Sequence, residues 1–222
     1  MNKTILKIHR WLAIPFGIFI SILCFTGAII LYGENTTLLR IAHRLHSSLF
    51  MPSHGIISGR FILGLSAIAM TLILITGIIL WWPKTKAALK KRLSVHFNKG
   101  LKRFIYDTHI SLGIYSVTFL LLMSLTGPSW AFKWYNKAAT TTASVFVNNN
   151  NTESTYKKGH HRHRHGRSNE QRVLFRLHTG SWDGNAVKTI YFLSAIIGGF
   201  LPISGFYMWI EERKARNNSY KK

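Results

Sequence analysis

The chain has one cysteine and seven acidic residues in 222 positions. A single thiol, Cys24, excludes an internal disulfide framework, a CxxC zinc site and covalent haem attachment through C-x-x-C-H. The scarcity of Asp and Glu leaves 29 Lys+Arg unbalanced, for a formal charge of +22. Chains this basic are ordinarily disordered or bound to nucleic acid. Yet 47% of the residues are hydrophobic, with seven Trp, fourteen Phe and eight Tyr, and the mean hydropathy is positive. Charge and apolar mass must therefore be segregated along the chain. That excludes a basic disordered protein and argues against an ordinary soluble domain.

Four windows hold no Asp, Glu, Lys or Arg: 11–33, 61–83, 108–132 and 189–210. A hydrocarbon core of ~30 Å is crossed by about 20 apolar residues rising ~1.5 Å each. Each window is long enough, so the sequence predicts an all-α membrane protein with a four-transmembrane-helix bundle. The first run is too long for a signal-peptide core and lacks an A-x-A cleavage site, so it is read as a span. Lys and Arg flank the spans and form no stacking platform, so lipid rather than nucleic acid is the expected partner.

The loops set the orientation. Lys3, Lys7 and Arg10 precede the first span, and eight Lys and Arg occupy the 84–103 loop. Five more follow the last span, whereas the first loop on the opposite side carries only Arg40, Arg44 and Arg60. The positive-inside rule then puts both termini in the cytoplasm. The second outer loop, 133–188, is also basic, but long loops obey this rule weakly. Trp11, Trp81, Trp82 and Trp209 fall at the inner interface, and Trp130, Trp134 and Trp182 at or beyond the outer one.

The chain reads as a duplication. His9-Arg-Trp-Leu leads to Phe25-Thr26-Gly27, and His109-Ile-Ser-Leu leads to Leu125-Thr126-Gly127, with the same interval. Arg44-Leu45-His46 matches Arg176-Leu177-His178, and Thr76-Gly77 matches Ser204-Gly205, with a four-residue insertion near 51–58 in the first half. Two parallel two-helix repeats result. Residues 1–103 carry spans 11–33 and 61–83 with a basic cytoplasmic loop, and 104–222 carry spans 108–132 and 189–210 with the His-rich outer loop 133–188. Parallel repeats are related by a pseudo-two-fold axis along the membrane normal. That axis would bring His9 to face His109 at the inner side, and His46 to face His178 at the outer side. Two opposed imidazoles are the ligand set of a six-coordinate b-type haem. Gly27 and Gly127 fall at the depth of the outer pair, and Gly77 and Gly205 near the inner pair, where a missing side chain admits a flat macrocycle. The same glycines also read as helix-packing positions, and a lone interfacial His as a snorkelling residue.

The motifs His9-Arg-Trp-Leu, Phe25-Thr-Gly, Leu45-His-Ser-Ser-Leu-Phe50, Thr76-Gly-Ile-Ile-Leu-Trp-Trp-Pro83 and Leu177-His-Thr-Gly180 resemble the PepSY-associated transmembrane family. The resemblance extends over all four spans. It implies a bacterial inner-membrane protein, in the manner of iron-regulated membrane proteins and siderophore-linked ferric reductases, that binds two haem b and passes electrons to ferric siderophores outside. Neither outer loop is large enough for a full PepSY domain, so this is a short member. Met208-Trp209-Ile210 stands where the first half has Leu80-Trp81-Trp82, and Lys188 stands near where an Arg is expected.

The site reading is therefore haem iron held by His9 and His109, and by His46 and His178. Arg44 and Arg176 are available for haem propionates or for lipid anchoring, and Arg10 and Arg103 have the same two readings at the inner side. Asp107 either orients His109 or caps a helix. His43 and His54 compete with His46 but lack a His counterpart in the second half, and His96 reads as solvated. The segment 157–172, with His160, His161, His163 and His165, is a candidate metal-capture loop or a charged linker. No electron donor is legible. The alternatives are a haem-free module that regulates a partner, and a metal or proton carrier; the apolar middle of each span argues against the carrier.

Overall fold

The computed structural model describes residues 2–51, 58–151 and 168–219. Among these the chain is helical and has no strand. The helices are α1 (Lys3–Tyr32), α2 (Thr36–Ser48), α3 (Gly59–Trp81), α4 (Lys86–Leu93), α5 (Leu101–Thr126), α6 (Lys133–Asn151), α7 (Asn169–Thr179) and α8 (Gly184–Ser219), with a 3-10 turn at Gly127–Trp130 after α5. Helices α1, α3, α5 (with its 3-10 turn) and α8 are long and apolar enough to cross a membrane. Acids are too few to favour helix starts, and neutral caps take their place. Asn2, Asn35, Ser58, Thr85 and Ser168 each accept from backbone N–H groups of the first turn that follows.

The four spans form a closed ring in which α1 touches α8 and α3, and α5 touches the same two. Between them lies an apolar layer of Ile20, Cys24, Met70, Leu74 and Leu120. Small residues let the backbones approach. A side chain at Gly199 would meet the Phe25 ring at 2.6 Å, and one at Gly198 would meet Leu120 at 2.7 Å. Ser21 Oγ donates to the Gly199 carbonyl at 2.9 Å, and Thr71 Oγ1 donates to Ser124 Oγ at 3.0 Å, tying α1 to α8 and α3 to α5. Large apolar side chains on the outer faces, such as Ile18, Leu72, Tyr115 and Phe200, are exposed, as a lipid-facing surface requires.

Arg10 pairs with Glu212, so both chain ends lie at one end of the bundle, here called the terminal end. At the distal end Tyr32 meets Thr189 at 2.8 Å, and the Lys188 ammonium lies over the Tyr32 ring. Helices α1 and α8 are thus fastened at both ends.

Two features add to the sequence expectation. The spans do not stop where charge begins, because α1 starts at Lys3 and α8 runs to Ser219. The connections read as outer loops contain helices. Amphipathic α2 lies against α1 and α3, and α7 lies against α5 and α6.

Candidate functional site

Each of the four repeat-related histidines is held by a neighbouring span in the same way. His46, on α2, has Nδ1 3.0 Å from the Leu23 carbonyl and 3.0 Å from Thr26 Oγ1, both on α1. His178, on α7, has Nδ1 3.1 Å from the Met123 carbonyl and 2.9 Å from Thr126 Oγ1 on α5. His9, on α1, has Nδ1 3.1 Å from the Ile73 carbonyl and 3.0 Å from Thr76 Oγ1 on α3. His109, on α5, has Nδ1 2.8 Å from Ser204 Oγ on α8, with the Leu201 carbonyl beside it.

The glycine that follows each hydroxyl residue completes the contact. Positions for a Cβ on Gly27, Gly77, Gly127 and Gly205 lie 3.3, 3.5, 3.8 and 3.4 Å from Cε1 of His46, His9, His178 and His109. The recurring unit is a carbonyl, then Thr or Ser three residues later, then Gly. We call it a seat. Only at Gly27 would a Cβ sit closer than an ordinary contact; at the other three it would meet the imidazole at van der Waals distance.

The seats fix the imidazole tautomer. A carbonyl can only accept, and each seat hydroxyl already donates to its own helix: Thr26 to Ile22, Thr76 to Leu72, Thr126 to Leu122 and Ser204 to Leu201. Nδ1 therefore carries the proton, and the Nε2 lone pair is left free. This is the state in which histidine ligates a metal.

At the distal end the His46 and His178 rings face each other with centroids 6.2 Å apart and planes at 63°. Two metal–nitrogen bonds of about 2 Å, with each ring nitrogen about 1.1 Å from its ring centre, separate two imidazoles on one metal by about 6.2 Å. The pair is therefore close enough for both imidazoles to hold one metal centre. The Trp130 ring packs beside His178 at 5.1 Å. Burial pushes both imidazoles down to about 4, against the pull of the Leu23 and Met123 carbonyls, so both are neutral and able to ligate. At the terminal end His9 lies within electrostatic reach of His109. Trp81 Nε1, one turn past Gly77, and Ser129 Oγ, two residues past Gly127, are buried without a hydrogen-bond partner among the described residues. Each end therefore retains an uncommitted polar atom. The donor set and its tautomer at both ends, and the ring spacing at the distal end, fit a b-type haem.

The remaining candidates fall differently. His43 is exposed and lines an open cleft with Arg40 and Arg44, close enough to His46 to act on it electrostatically. Arg176 donates to the Ser181 and Trp182 carbonyls and so holds the turn after α7. Arg10 is engaged by Glu212, and Arg103 by Asp107 at 2.8 Å. Asp107 neither caps α5, whose N-cap is Gly100, nor meets His109. It accepts from the backbone N–H and Nδ1 of His96, so His96 is engaged rather than solvated. His54, His160, His161, His163 and His165 lie outside the described residues. The sequence reading missed the seat hydroxyls of Thr26, Thr76, Thr126 and Ser204. Their signal was present as a hydroxyl residue before every repeat glycine.

Residues 31–212 match the family model of the PepSY-associated transmembrane region. The chain belongs to this family. The PepSY-associated match takes in His46, His109 and His178 with the seats of Thr76, Thr126 and Ser204. His9 and the Thr26–Gly27 seat precede its first residue. Neither a curated protein nor a solved structure matches the chain.

Proposed function

We propose that the protein is a di-haem electron carrier of the bacterial cytoplasmic membrane, with one haem b between His9 and His109 and one between His46 and His178. The observation that carries this reading is the set of four seated imidazoles, each with its Nε2 lone pair free. Haem would supply one-electron exchange between Fe(II) and Fe(III). The histidines would hold iron, and the seat carbonyls and hydroxyls would orient their rings. The layer of Ile20, Cys24, Met70, Leu74 and Leu120 excludes water between the two sites. The positive-inside rule makes the terminal end cytoplasmic, so electrons leave at the His46–His178 side.

The acceptor we favour there is a ferric chelate. Hard oxygen ligands hold Fe(II) less tightly than Fe(III), so reduction releases the metal. Ten Lys and Arg between 133 and 188 give that side an attraction for anionic chelates. A bare-metal carrier is the second reading. It needs three or four protein ligands per ion, and no cluster of three His, Cys, Asp or Glu exists among the described residues. Haem brings four ligands of its own and needs only two imidazoles.

A visible spectrum of the purified protein before and after dithionite tests the reading. A sharp reduced α-band of low-spin b haem is expected, and reoxidation by an added ferric chelate should follow. A protein expressed with ample haem that shows no such band is a haem-free module.

A further inference from the structure

We propose that Thr26, Thr76, Thr126 and Ser204 are positioning residues that set the electron density on the four imidazoles and so lower the reduction potential of each centre. The inference rests on the haem reading above and names the residues that tune it.

The chemistry follows from where each hydroxyl proton goes. In all four seats it is spent on a carbonyl of the same helix, at 2.5 Å for Thr26, 2.9 Å for Thr76, 2.6 Å for Thr126 and 2.9 Å for Ser204. A hydroxyl that donates in this way becomes a better acceptor, because hydrogen bonds in a chain polarise one another. It then takes the Nδ1 proton of the seated histidine at 2.8 to 3.0 Å. Drawing on that proton moves electron density towards Nε2 and makes it a stronger donor to iron. A stronger donor favours Fe(III) over Fe(II) and moves the potential down.

Helix stability does not explain these residues. Thr and Ser that bond back to a carbonyl of the preceding turn slightly destabilise a helix. Packing does not demand the oxygen either, since Val fills the volume of Thr. Yet a hydroxyl occurs in every seat, three residues after the carbonyl that shares the same Nδ1.

The test uses full-length protein in detergent. Thr26→Val with Thr126→Val alters the distal centre, and Thr76→Val with Ser204→Ala alters the terminal one. Each pair should raise the midpoint potential of its own centre in a spectroelectrochemical titration and leave the other in place. Haem retention at the altered centre should weaken by about tenfold or more, the usual effect of removing a partner of a ligating histidine. Thr→Ser at 26, 76 and 126 should restore wild-type potentials. Unshifted potentials in the Val and Ala variants overturn the inference alone. Loss of haem in the Ser variants as well as the Val variants marks a packing role and also overturns it. A wild-type protein without a b-type spectrum overturns the haem reading, and this inference with it.

Discussion

His96 Nδ1 donates to Asp107 Oδ2 at 2.8 Å and pins the 94–100 connection onto the first turns of α5. Asp107 is 4% exposed and also takes the His96 backbone N–H and the Arg103 guanidinium. Replacing it with Ala leaves these donors without their acceptor. We predict that Asp107→Ala lowers stability by about 1–3 kcal/mol. Thermal unfolding in detergent measures this, and proteolysis within 94–100 should accelerate. His96→Ala should cost less, because its side chain is a third exposed. An Asp107→Ala protein that melts as wild type refutes the clamp.

The α1–α8 contact tolerates no added carbon at Gly199. A Cβ there would meet three atoms of the Phe25 ring at 2.6 to 2.8 Å. Gly199→Ala should destabilise by about 1–3 kcal/mol through overpacking. Gly113→Ala is the matched control, since its nearest neighbour is Leu201 Cδ2 at 3.7 Å and Ala favours helix. Equal melting of the two variants would remove the close-approach argument.

If each histidine pair holds one haem, the two sites should empty independently. His9→Ala with His109→Ala should halve the haem per chain and spare the distal signal. His178→Ala should remove the distal signal and spare the other. Pyridine haemochrome quantitation with low-temperature spectra reads both. Full haem loading in either variant would sink the corresponding assignment.

Haem-free protein should become acid-sensitive at the distal end. His46 and His178 go from 6.5 to about 4 on burial, so folding favours their neutral forms. Their contribution is complete above pH 6.5 and is lost as pH falls towards 4, because the unfolded chain binds those protons first. The melting temperature should fall through that window. The fall should flatten in a His46→Gln, His178→Gln double variant. An identical pH profile in both proteins would exclude these two groups as its source.

The spans were legible because lipid forbids unpaired charge, so the absence of Asp, Glu, Lys and Arg marks them directly. Their ends were not, since Lys, Arg and Glu are good helix formers and α1 and α8 continue into water. The amphipathic run of α2, from Asn35 through Leu38, Leu39, Ala42 and His46, carries a cap and a helical period. The charge-free spans dominate the pattern and mask this shorter period. The pairing of His46 with His178 was readable from the repeat. The part of Thr26 was not, because a hydroxyl and a carbonyl three residues apart become one acceptor pair only once another helix brings an imidazole to them. His96 and Asp107, eleven positions apart across an irregular connection, offered no period to read.

Every seat belongs to the same half of the chain as the histidine it holds: His9 with Thr76, His46 with Thr26, His109 with Ser204 and His178 with Thr126. Each opposed pair, by contrast, draws one ring from each half. A polypeptide half this long, joined to its own copy about a two-fold axis, would carry four imidazoles on four seats. The covalent link through 94–100 therefore adds no ligand. It leaves the two halves free to differ outside the seats, as His43 and Phe175 do at corresponding positions.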